Sequence, residues 1–547
     1  MKKLFLILLI SACSLQIVNT QTQFQRTIGG SGDDHATPII QTTDGGYAAA
    51  GYTNSFGAGG YDFYIVKLDG TGSTLQWSRT IGGTGTDIAL SITQTADGGY
   101  AVSGETNSFG AGGYDEYIVK LDYNGIPQWA KTIGGTGDDF GEHIIQTTDG
   151  GYAVGGQTNS FGAGDYDMNI VKFDAAGSFQ WSRTIGGTNL DYALSIIQTT
   201  DGGYALFGST DSFGAGYNDF YIVKLDGSGS LQWSRTIGGA GGDYGFSIIQ
   251  TSDGGYAMSG TTISFGAGNL DLYVVKLDSS GLLQWSRTIG GTNHEYGYSI
   301  VQTTDGGYAV SASTASFGAG GYDAYIVKLD GSGSLQWSRT IGGANDDDVL
   351  SIIQTTDVGY VAAGSTASFG AGGYDAYIVK LDTIGNICGN TSSPLSNIGS
   401  PTSTVMSPSP TVTSPTPTVT TPVSTIGSGG TLTIICTFTG IIPISNEIPN
   451  SYELYQNYPN PFNPSTKIKF DIPAGPLSRG VSTGRGVSVR LTIYDILGRE
   501  LEMLVNQQLQ PGTYNVDWDA SNYPSGIYFY KLVTDNFIET NKMILIK

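Results

Sequence analysis

A motif repeated at a constant interval constrains this chain more than any other feature. The motif is Leu-Gln-Trp-Ser-Arg-Thr-Ile-Gly-Gly or a close variant of it. Its tryptophan recurs every 52 residues, at Trp77, Trp129, Trp181, Trp233, Trp285 and Trp337. A fixed period in this range is typical of a repeat architecture, in which each unit buries its apolar face against the next unit. The fold can therefore be predicted from a single unit.

One unit contains four short apolar runs. They are Ser299 to Thr303, Gly307 to Ser313, Ala324 to Leu329 and Leu335 to Ile341. The runs are rich in Val, Ile, Tyr and Thr and are bounded by Gly and Asp, which is typical of β-strands. No stretch of the unit has apolar residues at helical spacing. Four strands in each unit, repeated radially, predict a β-propeller.

The turn Asp-Gly-Gly-Tyr gives the number of units. It begins at Asp44, Asp97, Asp149, Asp201, Asp253 and Asp305, and a variant, Asp-Val-Gly-Tyr, begins at Asp357. The seventh unit ends near Asn386 without the Trp motif, whereas Phe24 to Gly30 matches Trp77 to Gly83. We therefore predict an all-β fold with a seven-bladed propeller, in which an N-terminal strand completes the last blade and removes an open sheet edge.

The composition divides the chain into four parts. Residues 1–20 have a basic start and an apolar run, which is typical of a secretory signal peptide. The alternative is a lipoprotein signal, because Ile10 to Cys13 resembles a bacterial lipobox in which Cys13 is lipidated. Residues 21–388 hold the repeats, residues 389–450 form a Ser/Thr/Pro-rich linker, and residues 451–547 form a separate domain. No other apolar run is long enough to predict a membrane span.

Charge and cysteine content limit the classes of partner. The net charge of −22 argues against nucleic-acid binding, which needs a basic face, and suits a secreted protein or one that meets cations. The linker cannot bury enough apolar surface to fold, so we expect an extended stalk between two domains. Cys388 and Cys436 flank that linker. An exported protein can join them in a disulfide, but their spacing leaves the free form equally open.

The last hundred residues change pattern. Strands are expected at Lys467 to Ile472, Val487 to Ile496, Gly512 to Trp518, Gly526 to Val533 and Ile538 to Ile546. Short alternating strands separated by turn residues predict a small β-sandwich.

Several ordered motifs in this domain resemble a known family. They are Leu-Tyr-Gln-Asn-Tyr-Pro-Asn-Pro-Phe-Asn-Pro at 454–464, Ile-Tyr-Asp-Ile-Leu-Gly-Arg at 493–499, Asn-Tyr-Pro-Ser-Gly-Ile-Tyr at 522–528 and Lys-Met-Ile-Leu-Ile-Lys at 542–547. Together they resemble the type A C-terminal sorting domain of the type IX secretion system. The resemblance implies an Ig-like sandwich, recognition by the export machinery of Bacteroidetes and their relatives, and a cargo that crosses the periplasm to be secreted or held at the outer-membrane surface. Residues 475–486 depart from the family as a short insertion. The repeats resemble SBBP-type bacterial β-propeller repeats, which implies a fold but no function.

One face of the predicted propeller gathers aromatic and acidic residues. The loop between the second and third strands ends in Tyr-Asp. The loop tyrosines are Tyr61, Tyr114, Tyr166, Tyr322 and Tyr374. The loop aspartates are Asp62, Asp115, Asp167, Asp219, Asp271, Asp323 and Asp375. The loop before each first strand adds the strand-start acids, which are Asp34, Asp87, Asp139, Asp191, Asp243, Glu295 and Asp347.

Two interpretations of this face stay open. Aromatic rings beside carboxylates suit sugars, so the loop tyrosines and loop aspartates are candidate ligand-binding residues. Carboxylates with backbone carbonyls suit Ca²⁺, so the strand-start acids are candidate calcium ligands. In the other interpretation the aspartates cap loops and only shape the backbone. The repeated Lys67 and Arg79 are expected to pair with acids, and the three histidines are assigned no role.

The sequence contains no recognised nucleotide-binding or catalytic motif. We expect a monomeric, exported binding or adhesion protein for a polysaccharide or a surface protein, without enzymatic activity and with no cofactor other than Ca²⁺. The alternatives are a glycan hydrolase or lyase and a purely structural envelope protein. Unique polar residues from one blade in the central channel would favour the enzyme, and seven similar residues would favour binding or scaffolding.

Overall fold

A computed structural model describes residues 21–388, 391–392, 397–399, 404–406, 411–413, 418–420, 425–427, 429–440, 443–445, 449–473, 487–509, 511–520, 523–534 and 536–547. The expected signal peptide, Cys13 and the insertion at 475–486 lie outside these residues. The described chain is all-β. It contains two compact units, which are residues 22–438 and residues 439–547.

The first unit consists of seven five-stranded sheets, numbered here 1 to 7 by the chain order of their first strands. The first strands are Asp34–Gln41, Asp87–Gln94, Asp139–Gln146, Asp191–Gln198, Asp243–Gln250, Glu295–Gln302 and Asp347–Gln354. The second strands are Tyr47–Thr53, Tyr100–Thr106, Tyr152–Thr158, Tyr204–Thr210, Tyr256–Thr262, Tyr308–Thr314 and Tyr360–Thr366. The third strands are Asp62–Leu68, Asp115–Leu121, Asp167–Phe173, Asp219–Leu225, Asp271–Leu277, Asp323–Leu329 and Asp375–Leu381. The fourth strands of sheets 1 to 6 are Leu75–Gly82, Pro127–Gly134, Phe179–Gly186, Leu231–Gly238, Leu283–Gly290 and Leu335–Ile341.

The fourth strand of sheet 7 comes from the other end of the repeats. Gln21–Gly29 pairs antiparallel with Asp375–Leu381, with Phe24 opposite Lys380 and Ile28 opposite Ala376. This is the pairing that the split repeat predicted. Phe24 is fully buried and packs against Tyr47 of sheet 1 at 5.9 Å between ring centroids, so it takes the place of the missing Trp.

Equivalent hydrogen bonds join each sheet to the next. The backbone N–H of each strand-start acid donates to a loop carbonyl of the preceding sheet over 2.6–2.9 Å. In sheet 2, for example, Asp87 donates to Tyr61. Asp34 of sheet 1 donates in the same way to Tyr374 of sheet 7, so the series of contacts returns to its start.

The tryptophan of the motif fills the junction between neighbouring sheets. Trp77 lies edge-on to Tyr100 at 5.6 Å, and a Cβ on Gly125 would fall 2.8 Å from its ring. The Arg79 guanidinium lies 5.5 Å from the ring centroid and donates to the Gly125 carbonyl over 3.0 Å. The prediction that Arg79 pairs with acids is therefore wrong, because its donors are used by backbone carbonyls. Lys67 does pair with Asp44, at 3.0 Å, and every sheet repeats this ion pair.

The fifth strand of each sheet comes from residues 391–440. These strands are Thr425–Gly427, Thr418–Thr420, Thr411–Thr413, Thr404–Met406, Asn397–Gly399, Thr391–Ser392 and Thr431–Gly440 in sheets 1 to 7. The segment therefore crosses the sheets in the order 6, 5, 4, 3, 2, 1 and 7. Pairing with the Thr-Ile-Gly of the fourth strands occurs every seven residues, as with Val405 opposite Ile237 and Val412 opposite Ile185. We call this segment the strap.

The described strands of the strap correct the expectation of a stalk. A Ser/Thr/Pro-rich segment cannot form a core of its own, but the outer edge of each sheet offers unpaired backbone groups that three residues can satisfy. Cys388, just before the strap, and Cys436, in its last strand, form a disulfide with their Cα atoms 6.0 Å apart. The disulfide joins the two ends of the strap at sheet 7.

The second unit has two four-stranded sheets. One contains Pro443–Ser445, Gly512–Asp519, Ser465–Ile472 and Glu453–Leu454, in that order. The other contains Glu500–Leu509, Val487–Tyr494, Gly526–Thr534 and Ile538–Leu545. A single apolar cluster that includes the fully buried Trp518 lies in this unit. All five expected strands are present, and Glu500–Leu509 was missed because its polar residues obscure the alternation. No helix in the described residues is long and apolar enough to cross a membrane.

Candidate functional site

The loop aspartates are structural caps in the folded protein. Each begins a third strand, and each is 1–2% exposed. In every copy the carboxylate accepts the N–H of the loop alanine four residues earlier, over 2.8–3.1 Å, as Asp62 does from Ala58. Burial, together with the neighbouring strand-start carboxylate, raises the pKa of Asp115, Asp219 and Asp323 to about 6. Little of their surface is open to a ligand, and a binding role for them stays a prediction.

The strand-start acids are also buried, at 0–2% exposure. Each accepts the N–H of a glycine four residues earlier over 2.7–2.8 Å, as Asp34 does from Gly30. Asp34 also accepts hydrogen bonds from the hydroxyls of Thr53 and Ser55. No group of three or more Asp, Glu, His or Cys side chains within the described ranges is placed to hold a metal ion. These acids therefore hold the loop before each first strand, and calcium binding by them remains a prediction.

The loop tyrosines are half-buried at the same face. Tyr61, Tyr166 and Tyr374 each donate a hydrogen bond to the aspartate that precedes a first strand, over 3.2–3.4 Å. Burial and these aspartates raise the pKa of all three tyrosines. Each ring is thus held in place with part of its surface open to solvent.

The junction of sheets 7 and 1 carries an aromatic cluster that departs from the repeat. His35 stacks on Tyr52 at 4.5 Å and lies 5.3 Å from Tyr374. Tyr61 meets Tyr52 edge-on at 5.2 Å. All four rings are half-buried. The position of Tyr52 is occupied in the other six sheets by Glu105, Gln157, Ser209, Thr261, Ser313 and Ser365. The Tyr52 ring therefore distinguishes this cluster from the aromatic contacts at other junctions, such as Tyr296 with Tyr322.

A channel of about 360 Å³ runs between the first strands of the seven sheets. The fourth residues of those strands line it, and they are Thr37, Leu90, Glu142, Leu194, Phe246, Tyr298 and Leu350. Each first strand has an irregular register at or beside this residue. Such bulges re-aim side chains.

Sheet 3 differs from the others in this channel. The fifth residue of the first strand is Ser in most sheets, and its hydroxyl accepts an N–H from the next sheet, as Ser91 does from Ile144 over 3.1 Å. In sheet 3 this residue is His143, whose Nδ1 accepts the Ile196 N–H over 3.0 Å. Burial lowers the pKa of His143 to about 4. The histidine therefore has a structural partner, which the sequence did not indicate.

Two glutamates accompany His143. Burial, with a contribution from Glu105, raises the pKa of Glu142 to about 8. Burial, with a contribution from Asp138, raises the pKa of Glu105 to about 7. Both are half-buried, and Gln157 donates to Glu142 over 3.4 Å. The signal that would have revealed this pair is a comparison of the seven copies position by position, since no other sheet has an acid at either position.

Comparison with known protein families gives a match in the C-terminal unit of the chain. Residues 456–547 match the family described as the secretion system C-terminal sorting domain. The chain therefore carries the sorting signal of type IX secretion, and it is exported to the cell surface or the extracellular space.

Two further similarities concern particular proteins. The chain is 26% identical over 215 residues to the regulatory protein FlaEY of Caulobacter vibrioides, which covers 35% of this chain and 22% of that protein. The chain thus spans less than a quarter of the length of that relative. The crystal structure of a tetra-tandem repeat in the extending region of a large adhesion protein aligns with 89% of this chain and 95% of its own, at 12% identity and a TM-score of 0.13. No common fold follows from a score that low.

Proposed function

We propose that the chain is an exported binding protein, secreted or held at the cell surface, whose seven sheets are the blades of one closed β-propeller. Its ligand is a polysaccharide or a surface protein, and the second unit is an Ig-like sandwich that engages the type IX export machinery. The repeated hydrogen bonds from sheet to sheet, including the one from Asp34 to Tyr374, support the closed ring.

The aromatic cluster of His35, Tyr52, Tyr61 and Tyr374 is the observation on which the binding role rests. Half-buried rings with fixed positions lose little conformational freedom when a ligand binds. Sugar rings present C–H patches that stack on aromatic faces, and their hydroxyls need acceptors nearby. Asp33 provides such an acceptor, because its carboxylate already receives the Tyr61 hydroxyl.

A binding experiment with the full chain tests this role. The probes are a glycan array and a panel of purified bacterial surface polysaccharides. Tyr52→Ala is expected to weaken binding about fivefold or more, since an aromatic contact contributes about 1 kcal/mol beyond the area it buries. Tyr123→Ala is the matched control, because Tyr123 is 67% exposed and lies in the turn between the third and fourth strands of sheet 2. Equal binding by the two variants would refute the assignment.

A second candidate function is glycan hydrolysis or cleavage, and the Glu105–Glu142 pair favours it. Acid–base chemistry on glycosidic bonds uses two carboxyl groups whose pKa values differ from ordinary ones. Both groups are half-buried and lie where sheets 2 and 3 depart from the repeat. Reducing-end release from the same polysaccharides at pH 5 to 8 tests it. Glu142→Gln should lower the rate at least 100-fold, whereas Asp165→Asn, at an exposed loop, should leave it unchanged. Absence of release by the wild-type chain would leave the binding role alone.

A further inference from the structure

A second departure from the repeat lies in the first strands of sheets 5 and 6. The second and fourth residues of these strands are all aromatic, and they are Tyr244 and Phe246 in sheet 5 and Tyr296 and Tyr298 in sheet 6. In the other five sheets at least one of the two positions is not aromatic. Residues two apart on a strand share one face, and Phe246 and Tyr298 line the channel. Each of these strands therefore carries a pair of rings that leads into the channel.

Five rings of sheets 5 and 6 follow one another in a row that we call the aromatic track. They are His294, Tyr296, Tyr298, Phe246 and Tyr322. The His294 ring stacks on Tyr296 at 6.2 Å, and Tyr296 stacks on Tyr298 at 6.4 Å. Tyr298 meets Phe246 edge-on at 5.5 Å, and Tyr322 lies 5.8 Å from Tyr296. All five rings are half-buried, so each keeps part of its surface open to solvent.

Hydrogen bonds hold the track in position. Tyr322 and Tyr296 share one of these hydrogen bonds. Tyr298 shares another with the Ser313 hydroxyl, which donates to the Asp348 carboxylate. Rings that are already held in place lose little conformational freedom when a ligand binds.

A carboxylate connects the track to the aromatic cluster of sheets 7 and 1. Oδ1 of Asp346 accepts the backbone N–H of Tyr322 over 2.8 Å. Its Oδ2 accepts the hydroxyl of Tyr374, a member of the aromatic cluster, over 3.3 Å. The two groups of rings therefore form one continuous surface that crosses sheets 5, 6, 7 and 1. Such a surface offers more stacking positions than one or two sugar units can use.

The charges on this surface favour an uncharged ligand. Between residues 21 and 450, every Lys and Arg lies on a third or fourth strand of a sheet. The first strands and the loops that carry the tyrosines contain none. Asp33, Asp346 and Asp348, in contrast, lie beside the rings. A polyanion would meet these carboxylates without a counter-charge, and such like-charge contacts are unfavourable.

We propose that the track and the aromatic cluster together bind one neutral, linear polysaccharide chain, whose bound stretch ends at Phe246 and Tyr298 in the channel. This inference rests on the proposed binding role, to which it adds a second subsite and the class of polysaccharide. The rings stack on the C–H patches of successive sugars. The carboxylate of Asp346, between the two groups of rings, can accept hydrogen bonds from sugar hydroxyls.

The length of the bound chain tests the proposal. The probes are cello-, laminari-, manno- and xylo-oligosaccharides of two, four and six sugars, titrated calorimetrically into the full wild-type chain. In the series that binds, six sugars should bind at least about tenfold more tightly than two, because two or more further stacked sugars contribute about 1 kcal/mol each. Alginate oligosaccharides of six sugars, which are anionic, should not bind.

Substitutions at one strand position test the second subsite. Tyr296→Ala should weaken binding of the six-sugar probe about fivefold or more. Tyr296→Phe keeps the ring and should bind like the wild type, which separates the loss of the ring from a folding defect. Phe140→Ala is the matched control, because Phe140 occupies the same strand position in sheet 3, outside the track. This control should also bind like the wild type.

Two kinds of failure can be told apart. Equal affinity for two and six sugars, or equal losses in Tyr296→Ala and Phe140→Ala, would overturn the inference and leave the binding role of the aromatic cluster standing. Binding of anionic glycans alone would overturn it as well. If neither these oligosaccharides nor any glycan of the array bound the wild-type chain, the polysaccharide-binding role itself would be refuted, and the inference with it.

Discussion

The disulfide between Cys388 and Cys436 offers the sharpest test of the strap. The two cysteines are separated by 48 residues, and the described strands between them pair with sheets 6 to 1 before the strap returns to sheet 7. Replacing both by serine changes no other residue of the strap, and it leaves the partner strands of the seven sheets unchanged in sequence. The chain-entropy relation for a closed loop of this length gives about 4 kcal/mol of stability lost from the repeat unit at 25 °C.

The magnitude depends on the strap being paired in the folded state. If the strap were a free stalk, its two ends would still be joined, but breaking the bond would leave the sheets as they are. With the strap paired, the loss of the bond also releases its last strand. Arg26 and Gln25 of sheet 7 donate to the carbonyls of Cys436 and Cys388, so these hydrogen bonds become easier to open.

Equilibrium urea unfolding of the full chain, followed by tryptophan fluorescence, measures the effect. The double serine variant should unfold at a lower urea concentration than the oxidised wild type, and reductant should shift the wild type to the same midpoint. Reductant added to the double variant is the control and should change nothing. Limited proteolysis should cut within residues 391–427 sooner after reduction. Equal midpoints for oxidised and reduced wild type would refute the reasoning.

Three further predictions concern single residues. Val358 has φ 67°, whereas the equivalent turn residues are glycines such as Gly306 at 80°. Because a β-branched residue is strained at positive φ, Val358→Gly should stabilise the chain by about 1 kcal/mol, measured by urea unfolding. The pKa of Glu142 is raised from 4.5 to about 8 in the folded chain. The folded state therefore binds one more proton between these pH values, and the free energy of unfolding falls as pH rises through them. Glu142→Gln should flatten this fall in urea unfolding at several pH values, and an unchanged pH profile would contradict the prediction. Lys224 is buried, pairs with Asp201 at 2.9 Å and donates to the Leu225 carbonyl. Lys224→Met should lower the free energy of unfolding by about 1–2 kcal/mol, whereas the control Lys467→Met, at an exposed ion pair, should change it little.

In the repeat region, local sequence patterns predict the strands of each sheet but not the strap. The four strands of each sheet and the pairing of the N-terminal strand followed from the sequence because turn residues and β-branched runs recur at a fixed spacing. The strap did not. Ile398, Val405, Val412, Val419 and Ile426 recur every seven residues, but Pro, Ser and Thr around them favour an extended chain, and only the outer sheet edges make it a set of strands.

The candidate sites show the same limit. The Tyr-Asp loops were visible in the sequence, but which side chain faces water was not, because burial depends on the neighbouring sheet. The loop aspartates are buried and accept hydrogen bonds from N–H groups of their own loops, whereas the loop tyrosines are half-buried. Glu105 and Glu142 lie in different sheets, and nothing local in the sequence brings them together.

The sequence by itself determined the strand content, the number of repeat units and the sorting signal for export. These features depend on regular spacing and on motifs that a short stretch of sequence can carry. The tertiary structure decided which polar groups are buried, which face the channel, and where the strap binds. Those outcomes depend on contacts between residues far apart in the chain, such as Cys388 with Cys436 and Asp34 with Tyr374. Both contacts involve the last sheet, which the first strand completes.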